Sequence, residues 1–264
     1  MARIVVLSDI HLSPTHGVFW ENWCVAREFA DAAKADAVIV NGDLAINGPD
    51  SDAEIAFAAT ALGNLRTRVM ALPGNHDVGD EPPGQDPDQI IDADRLARWD
   101  RSFATDRWVM DAGGWRLVGV NAQLFGSGLA REQSQDQWLD EQSSTAGRPT
   151  ALFLHKPVFL QGPTDDVMSP SCMVPSGPTA CSVTRFIQGN GWRPALDRTS
   201  RKATIARSFS QRAGAADLCR RENRRLVLLL RIWGSGVRIS LGAPFRIRCC
   251  FQTPPLLRSI CRGC

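Results

Sequence analysis

The sequence contains no run of 18 or more consecutive apolar residues, so it offers no segment suited to a transmembrane helix. Its N-terminal stretch also lacks the apolar core and the small-residue cleavage site of a secretory signal peptide. Because nothing in the sequence directs export, we expect a cytoplasmic protein. The cysteines show no zinc-type spacing either, since Cys249-Cys250 and the CxxC of Cys261–Cys264 are too weak a pattern to indicate a structural metal site.

Acidic residues almost disappear from the C-terminal part of the chain. Residues 1–166 contain 25 Asp and Glu against 13 Lys and Arg, a net charge of −12, whereas residues 167–264 contain 3 against 17, a net charge of +14. All but one of the 8 cysteines follow residue 170, and all 4 histidines precede residue 156. The break predicts a folded domain over 1–166 and a basic, Cys- and Arg-rich tail over 167–264.

The basic tail has three interpretations. It could bind nucleic acid by neutralising phosphates, or place the segment RRLVLLLRIW as a helix on an anionic membrane surface. It could also be an out-of-frame translation or a fusion to unrelated DNA. We favour this last reading, because acidic residues vanish, Arg replaces Lys, and the strand and helix periods fade. We therefore expect 167–264 to be poorly ordered, with one short strand within GSGVRISLGAPFRIRCC.

Strand and helix patterns alternate over the first 160 residues. The alternation predicts an α/β fold with a largely parallel sheet, and Gly113-Gly114 predicts an antiparallel hairpin within it. Ser51 and Glu54 resemble a capping box at the start of a helix. Trp20 and Trp23 lie three residues apart on another predicted helix, so both side chains are expected to pack in the core. The predicted strands lie in 3–7, in 35–43 ending at Gly42-Asp43, in 68–77 ending in a loop, in 107–122 as two strands around Gly113-Gly114, and in 150–155. The predicted helices cover 19–35, 51–66, 88–103 and 131–144.

Polar side chains follow the ends of several predicted strands, where ligands bind in open α/β sheets. They are Asp9, His11, Asp43, Asn75, His76 and His155. Carboxylate, imidazole and amide groups suit Mn²⁺, Fe²⁺ or Zn²⁺, and the absence of cysteine from the set disfavours a structural zinc site. Two such metals bridged by a carboxylate can activate water and hold a phosphoryl group. Asp43 is the natural bridge, because it follows Gly42 on a tight turn.

These motifs together resemble the calcineurin-like metallophosphoesterase family. The resemblance rests on DIH at Asp9–His11, GD at Gly42-Asp43, GNHD at Gly74–Asp77 and the strand-end His155, and it covers about residues 1–160. Small bacterial class III cyclic-nucleotide phosphodiesterases are among the similar members. The family fold that it implies is a four-layer α/β/β/α sandwich of two mixed sheets, here with its C-terminal part incomplete or replaced.

The resemblance also implies a role for each motif residue. Asp9 and His11 would bind the first of two divalent metals, Asp43 would bridge both, and Asn75 and His155 would bind the second. The implied activity is hydrolysis of a small phosphoester, preferentially a diester such as a cyclic nucleotide, by a hydroxide that the two metals activate.

Two further residues receive catalytic roles from the resemblance. His76 would contact the substrate phosphate and protonate the leaving oxygen, and Asp77 would orient His76 through a hydrogen bond. His16 lies in a loop and is expected to be a solvated residue rather than a ligand. Asp50, Asp52 and Glu54 are most simply charges at a helix N-terminus.

The sequence departs from the family in one motif. A GHxH segment normally follows the last strand-end histidine and supplies one ligand to each metal, but no histidine follows His155 here. Asp165, Asp166 and Asp197 could stand in for the missing ligands, but nothing in their sequence context recommends them. Two alternatives to an active hydrolase therefore stay open. The chain could be an impaired, truncated or frame-shifted member without turnover, or a nucleic-acid-binding protein or nuclease that uses the basic tail.

Overall fold

The computed structural model describes residues 2–84, 86–144, 149–156, 227–230 and 245–250. Within these ranges the strands are β1 (Ala2–Leu7), β2 (Ala37–Asn41), β3 (Val69–Leu72), β4 (Trp108–Ala112), β5 (Trp115–Gly119), β6 (Thr150–Phe153), β7 (Val227–Leu230) and β8 (Phe245–Cys250). The helices are α1 (Trp20–Ala32), α2 (Asp52–Gly63), α3 (Asn75–Val78), α4 (Ala93–Asp100) and α5 (Ala130–Ser144). None of them is long and apolar enough to cross a membrane.

The strands form two four-stranded sheets. The first has the order β3-β2-β1-β8 and is parallel throughout. The second has the order β4-β5-β6-β7, in which β4 and β5 are antiparallel and the other pairs are parallel. The antiparallel pair turns at Gly113 and Gly114, which both have the positive φ that tight hairpin turns require, so the predicted hairpin is confirmed.

Alternate residues of β1 serve two different cores, as the two-residue period of a strand dictates. Val5 and Leu7 pack in a cluster with side chains from α1, α2 and α4, whereas Ile4 and Val6 pack in a second cluster against the other sheet. A third cluster joins the far face of β5 and β6 to Leu139 of α5. The layers therefore run helix, sheet, sheet, helix, and the four-layer α/β/β/α expectation is confirmed.

The helices differ from their sequence patterns in length and in one expected core residue. The helix predicted over 88–103 is wrong at its start, because α4 begins at Ala93, where the side chain of Asp92 caps it by accepting from the backbone N–H of Arg95 (2.7 Å). Ser51 caps α2 by accepting a hydrogen bond from the backbone N–H of Glu54 (3.4 Å). Trp23 is fully buried in α1 as expected, but Trp20 is 42 % exposed, and its ring lies tilted against that of Phe57 with centroids 5.6 Å apart. The expectation that both tryptophans are core residues is wrong for Trp20, which begins the helix on its outer side.

The tail contributes two described strands. Val227–Leu230 pairs with β6 within the segment for which a helix was considered, so the helix interpretation is wrong there. A short run of apolar residues has no period that separates a strand from a buried helix. Phe245–Cys250 pairs with β1 and is the short strand expected in that stretch. Residues 157–166 and the rest of 167–264, and with them the predicted disorder and the stand-in carboxylates, lie outside the described residues.

The core between the sheets provides a test of this packing. Phe153 is fully buried there beside Trp108, with ring centroids 5.7 Å apart. Phe153→Ala should lower the free energy of unfolding by about 3–5 kcal/mol, because it leaves a cavity between two sheets. Val18→Ala, at a side chain that is 73 % exposed, should change it by less than about 0.5 kcal/mol. Equal denaturant midpoints for the two variants would contradict the inter-sheet core.

Candidate metal centre

The fold brings the strand-end residues of both sheets to one site. Asp9 and His11 follow β1, Asp43 follows β2, and His76 follows β3 in the first sheet, while His155 follows β6 in the second. The two sheets are joined directly at this point, because the side-chain amide of Asn41 donates to the Leu154 carbonyl (3.0 Å). The strand-end arrangement that the sequence predicts is therefore present.

Two groups of potential ligands share the Asp43 carboxylate. One ligand atom from each of Asp9, Asp43 and His155 lies within 4.8 Å of the others, and the same holds for His11, Asp43 and His76. These groups combine the residues differently from the pairing implied by the resemblance, which placed Asp9 with His11. Carboxylate oxygens and imidazole nitrogens are a donor set that fits Mn²⁺, Fe²⁺ or Zn²⁺. The residues present therefore fit two divalent metals.

The three histidine rings are oriented by carbonyls of a single segment. Nδ1 of His155 lies 2.9 Å from the Asn41 carbonyl oxygen, and Nδ1 of His76 lies 2.7 Å from that of Ile46. Nδ1 of His11 lies 3.3 Å from the carbonyl oxygen of the intervening Ala45. A carbonyl can only accept, so each Nδ1 carries a proton and donates. In the neutral ring Nε2 then keeps a lone pair for a metal.

The backbone around the ligands is strained in a way that favours a functional site. Asp9, His11 and Asp43 have φ values of 56°, 43° and 54°, in the left-handed region that residues other than glycine rarely adopt. Such strain persists only where the surrounding structure imposes it, and it is concentrated at active sites. Gly42, with φ 87°, is required as well, because a Cβ there would collide with the His155 ring.

The Asp43 carboxylate is the electrostatic centre of the site. Its Oδ1 lies 3.3 Å from Nε2 of His155 and accepts from the backbone N–H of His76 (3.0 Å), and its Oδ2 lies 3.9 Å from Nε2 of His11. Burial alone would raise its pKa, but His155, His76 and His11 hold the pKa well below its usual range. Burial likewise acts to lower the pKa of His155, but Asp43 outweighs it and raises that pKa to about 9.

Asp77 does not orient His76, which corrects the role expected for it. Its carboxylate accepts from the backbone N–H groups of Leu44, Ala45 and Gly74 at 2.7–3.1 Å, and it is fully buried. Burial and the nearby charge of Asp43 raise the pKa of Asp77 to about 7. The His76 ring takes its orientation from the Ile46 carbonyl instead, so Asp77 shapes the loop that carries that carbonyl.

A buried ion-pair cluster next to His155 was missed by the sequence interpretation. Lys156 is buried and pairs with the carboxylates of Asp80 and Glu81, the latter at 2.7 Å. The pairing ties the end of β6 to the chain that follows α3, and so fixes His155 relative to His76. The one signal for it in the sequence was a lysine directly after a strand-end histidine, which by itself is ambiguous.

Similar proteins include phosphoesterases of two kinds. The chain is 30% identical over 137 residues to the glycerophosphodiester phosphodiesterase GpdQ of Enterobacter lignolyticus, covering 49% of this chain and 44% of that protein. It is 31% identical over 114 residues to the serine/threonine-protein phosphatase CPPED1 of Pongo abelii, covering 39% and 33%. The chain thus spans less than half the length of these curated relatives.

A dimetal phosphatase from Danio rerio overlaps the fold only loosely. It shares 15% sequence identity over 69% of this chain and 76% of that one, with a TM-score of 0.44. The family model is more informative, because calcineurin-like phosphoesterase matches residues 2–190, the stretch that carries all of the strand-end ligands. The chain therefore belongs to the calcineurin-like phosphoesterase family.

Proposed function

We propose that the protein hydrolyses phosphoesters at a dinuclear metal site in which Asp43 is the ligand common to both metals. The observation that carries this proposal is the position of Asp43 within both groups of ligand atoms. We assign metal binding to Asp9, His11, Asp43, Asn75 and His155, and catalysis to His76. Asn75 begins α3 directly before His76, after the end of β3, and in this proposal its side-chain oxygen would be a further ligand.

Two divalent metals held here would supply Lewis acidity, lowering the pKa of water and neutralising charge on the phosphoryl group. The protein's own contribution is to present the ligands in the correct form. Asp43 stays ionised because its pKa is held low, and the carbonyls that face each Nδ1 direct Nε2 of the rings towards the site. Positioning of this kind supplies much of the rate enhancement in phosphoryl transfer.

We assign His76 to the substrate rather than to a metal alone. It is the most exposed of the three histidines of the site. Its Nδ1 is engaged by the Ile46 carbonyl, and its ring meets that of His11 edge-on at 4.8 Å between centroids. Its Nε2 is thus the atom left for the substrate, and in the doubly protonated ring, with Nδ1–H still engaged by the Ile46 carbonyl, it can donate a hydrogen bond to a phosphoryl oxygen or a proton to the leaving oxygen. We infer a preference for diesters, in line with the phosphodiesterase among the relatives.

A second candidate is a metal-binding family member without turnover. It is favoured by one observation, the lack of any histidine after His155 in the sequence, which leaves each metal to complete its coordination with water or other groups. The two candidates differ in turnover with metal present, so hydrolysis of a phosphodiester with bound Mn²⁺ separates them.

Removing the shared carboxylate should abolish metal-dependent hydrolysis. Asp43→Asn should reduce kcat/KM for bis(p-nitrophenyl) phosphate with Mn²⁺ by at least about 100-fold, because losing even an outer partner of a metal ligand costs 10–100-fold. Asp94→Asn, at an exposed residue in the first turn of α4, should leave the rate unchanged. Mn²⁺-independent hydrolysis, or equal rates in the two variants, would refute the proposal. No turnover with bound Mn²⁺ would establish the second candidate.

The affinity for metal should rise with pH. Binding of a metal through His155 needs the neutral imidazole. Because Asp43 raises the pKa of His155 from 6.5 to about 9, a proton competes with the metal throughout that pH range. The Mn²⁺ association constant should therefore increase by up to about tenfold per pH unit from 6.5 to 9. Calorimetry in two buffers with different ionisation enthalpies would report the released proton.

The exposed His16 supplies the control for this pH dependence. His16→Ala should preserve both the slope and the proton release, because the residue lies outside both ligand groups. A Mn²⁺ affinity that is independent of pH, without proton release on binding, would show that His155 does not ligate the metal.

A further inference from the structure

Four successive backbone N–H groups of the loop after Asp43 donate hydrogen bonds to two buried carboxylates. Leu44 and Ala45 donate to Asp77, whereas Ile46 and Asn47 donate to Oε2 of Glu54 at 3.0 and 2.8 Å. Every backbone N–H group of segment 44–47 thus donates to a buried carboxylate. Of the carbonyls of this segment, those of Ala45 and Ile46 face histidines of the metal centre, whereas the Leu44 carbonyl accepts from the backbone N–H of Leu12 (2.7 Å).

Glu54 was interpreted as a charge at the N-terminus of a helix, and in the structure this side chain faces the interior. The residue is 6% exposed, and its Oε1 accepts from the hydroxyl of Ser13 (2.7 Å) while its Oε2 receives the two loop amides. Burying a carboxylate is costly unless hydrogen bonds replace its water, and these three donors do so. Capping of α2 does not require this arrangement, because the Ser51 side chain caps the helix.

The loop that Glu54 holds carries the orienting carbonyls of two histidines. The Ile46 carbonyl faces Nδ1 of His76 at 2.7 Å, and the Ala45 carbonyl faces Nδ1 of His11 at 3.3 Å. Ser13, the third partner of Glu54, lies two residues after His11 on the loop that follows β1. Any shift of the Glu54 contacts would therefore move both rings.

We propose that Glu54 is the positioning residue of the half of the metal centre formed by His11 and His76, and this inference rests on the proposed function. His155 belongs to the other half, because its Nδ1 faces the Asn41 carbonyl at the end of β2, ahead of the loop that Glu54 holds. Loss of Glu54 should therefore disturb two of the three histidines and spare the third.

The test uses the full-length, metal-free protein labelled with ¹⁵N at histidine. The chain has only 4 histidines, so long-range ¹H–¹⁵N correlations can resolve the protonation of each ring nitrogen. In the wild type at pH 8, His11 and His76 should show the Nδ1–H form. In Glu54→Ala, both should lose that single form and their nitrogen shifts should move towards those of a free histidine that averages its two tautomers, while His155 stays unchanged.

Two matched variants separate positioning from charge. Glu54→Gln should preserve the wild-type spectrum, because its amide oxygen can accept from Ile46 and Asn47 while its amide group donates to the Ser13 hydroxyl. Asp52→Asn removes the same charge from the same helical turn, at an exposed side chain paired with Arg98 and Arg101, and should also preserve it. Unchanged His11 and His76 signals in Glu54→Ala, or equal disturbance of His155, would overturn the proposal.

A binding measurement gives a second, independent readout. With Mn²⁺ alone as the probe, Glu54→Ala should weaken one of two binding events by about 10–100-fold, the range typical of partners behind metal ligands. If Glu54→Ala does not fold, Glu54→Asp replaces it as the test, because its side chain is one methylene shorter. It must produce the same selective shifts of the His11 and His76 signals, and the absence of these shifts would overturn the proposal. Selective shifts without any hydrolysis would leave this inference standing and refute only the proposed function.

Discussion

The Asp43 carboxylate is the constraint on which the rest of the site depends. Asp43 follows β2, one of the two central strands of its sheet, and is buried beside His155 from the other sheet. Its Oδ2 also lies 3.9 Å from Nε2 of His11. A buried carboxylate is stable only with compensating charge or donors, and here histidines and a backbone amide provide them. The left-handed φ of Asp43 shows that the surrounding structure imposes this position.

The fold explains why the ligands come from distant parts of the sequence. Two sheets packed through a shared apolar core bring the carboxyl ends of β1, β2, β3 and β6 to one edge. Gly74 allows the closest approach between them, since a Cβ there would overlap the Asp43 carboxylate. Beneath this edge, the carboxylates of Asp77 and Glu54 fix the loop whose carbonyls orient the histidines. The centre is thus held by backbone groups as much as by side chains.

The sequence was sufficient to predict which side chains gather at the strand ends, but not the residues that support them. Asp9, Asp43 and His155 were identifiable because strand ends are local features and parallel strands share an edge. The contact between Glu54 and Ser13 spans 41 residues, and a capping-box pattern explains Glu54 equally well without it. The helix interpretation of the β7 segment was wrong for a related reason. A short apolar run can form a strand or a helix, depending on the element it packs against.

The central claim, that Asp43 joins two metals, is tested most directly by the electron paramagnetic resonance spectrum of the protein with two equivalents of Mn²⁺. Two ions that share a carboxylate lie about 3.5–4 Å apart, so the account predicts an exchange-coupled spectrum. The ligand atoms gathered within 4.8 Å around Asp43 allow this separation. A simple six-line spectrum of isolated Mn²⁺ at two equivalents would contradict the account.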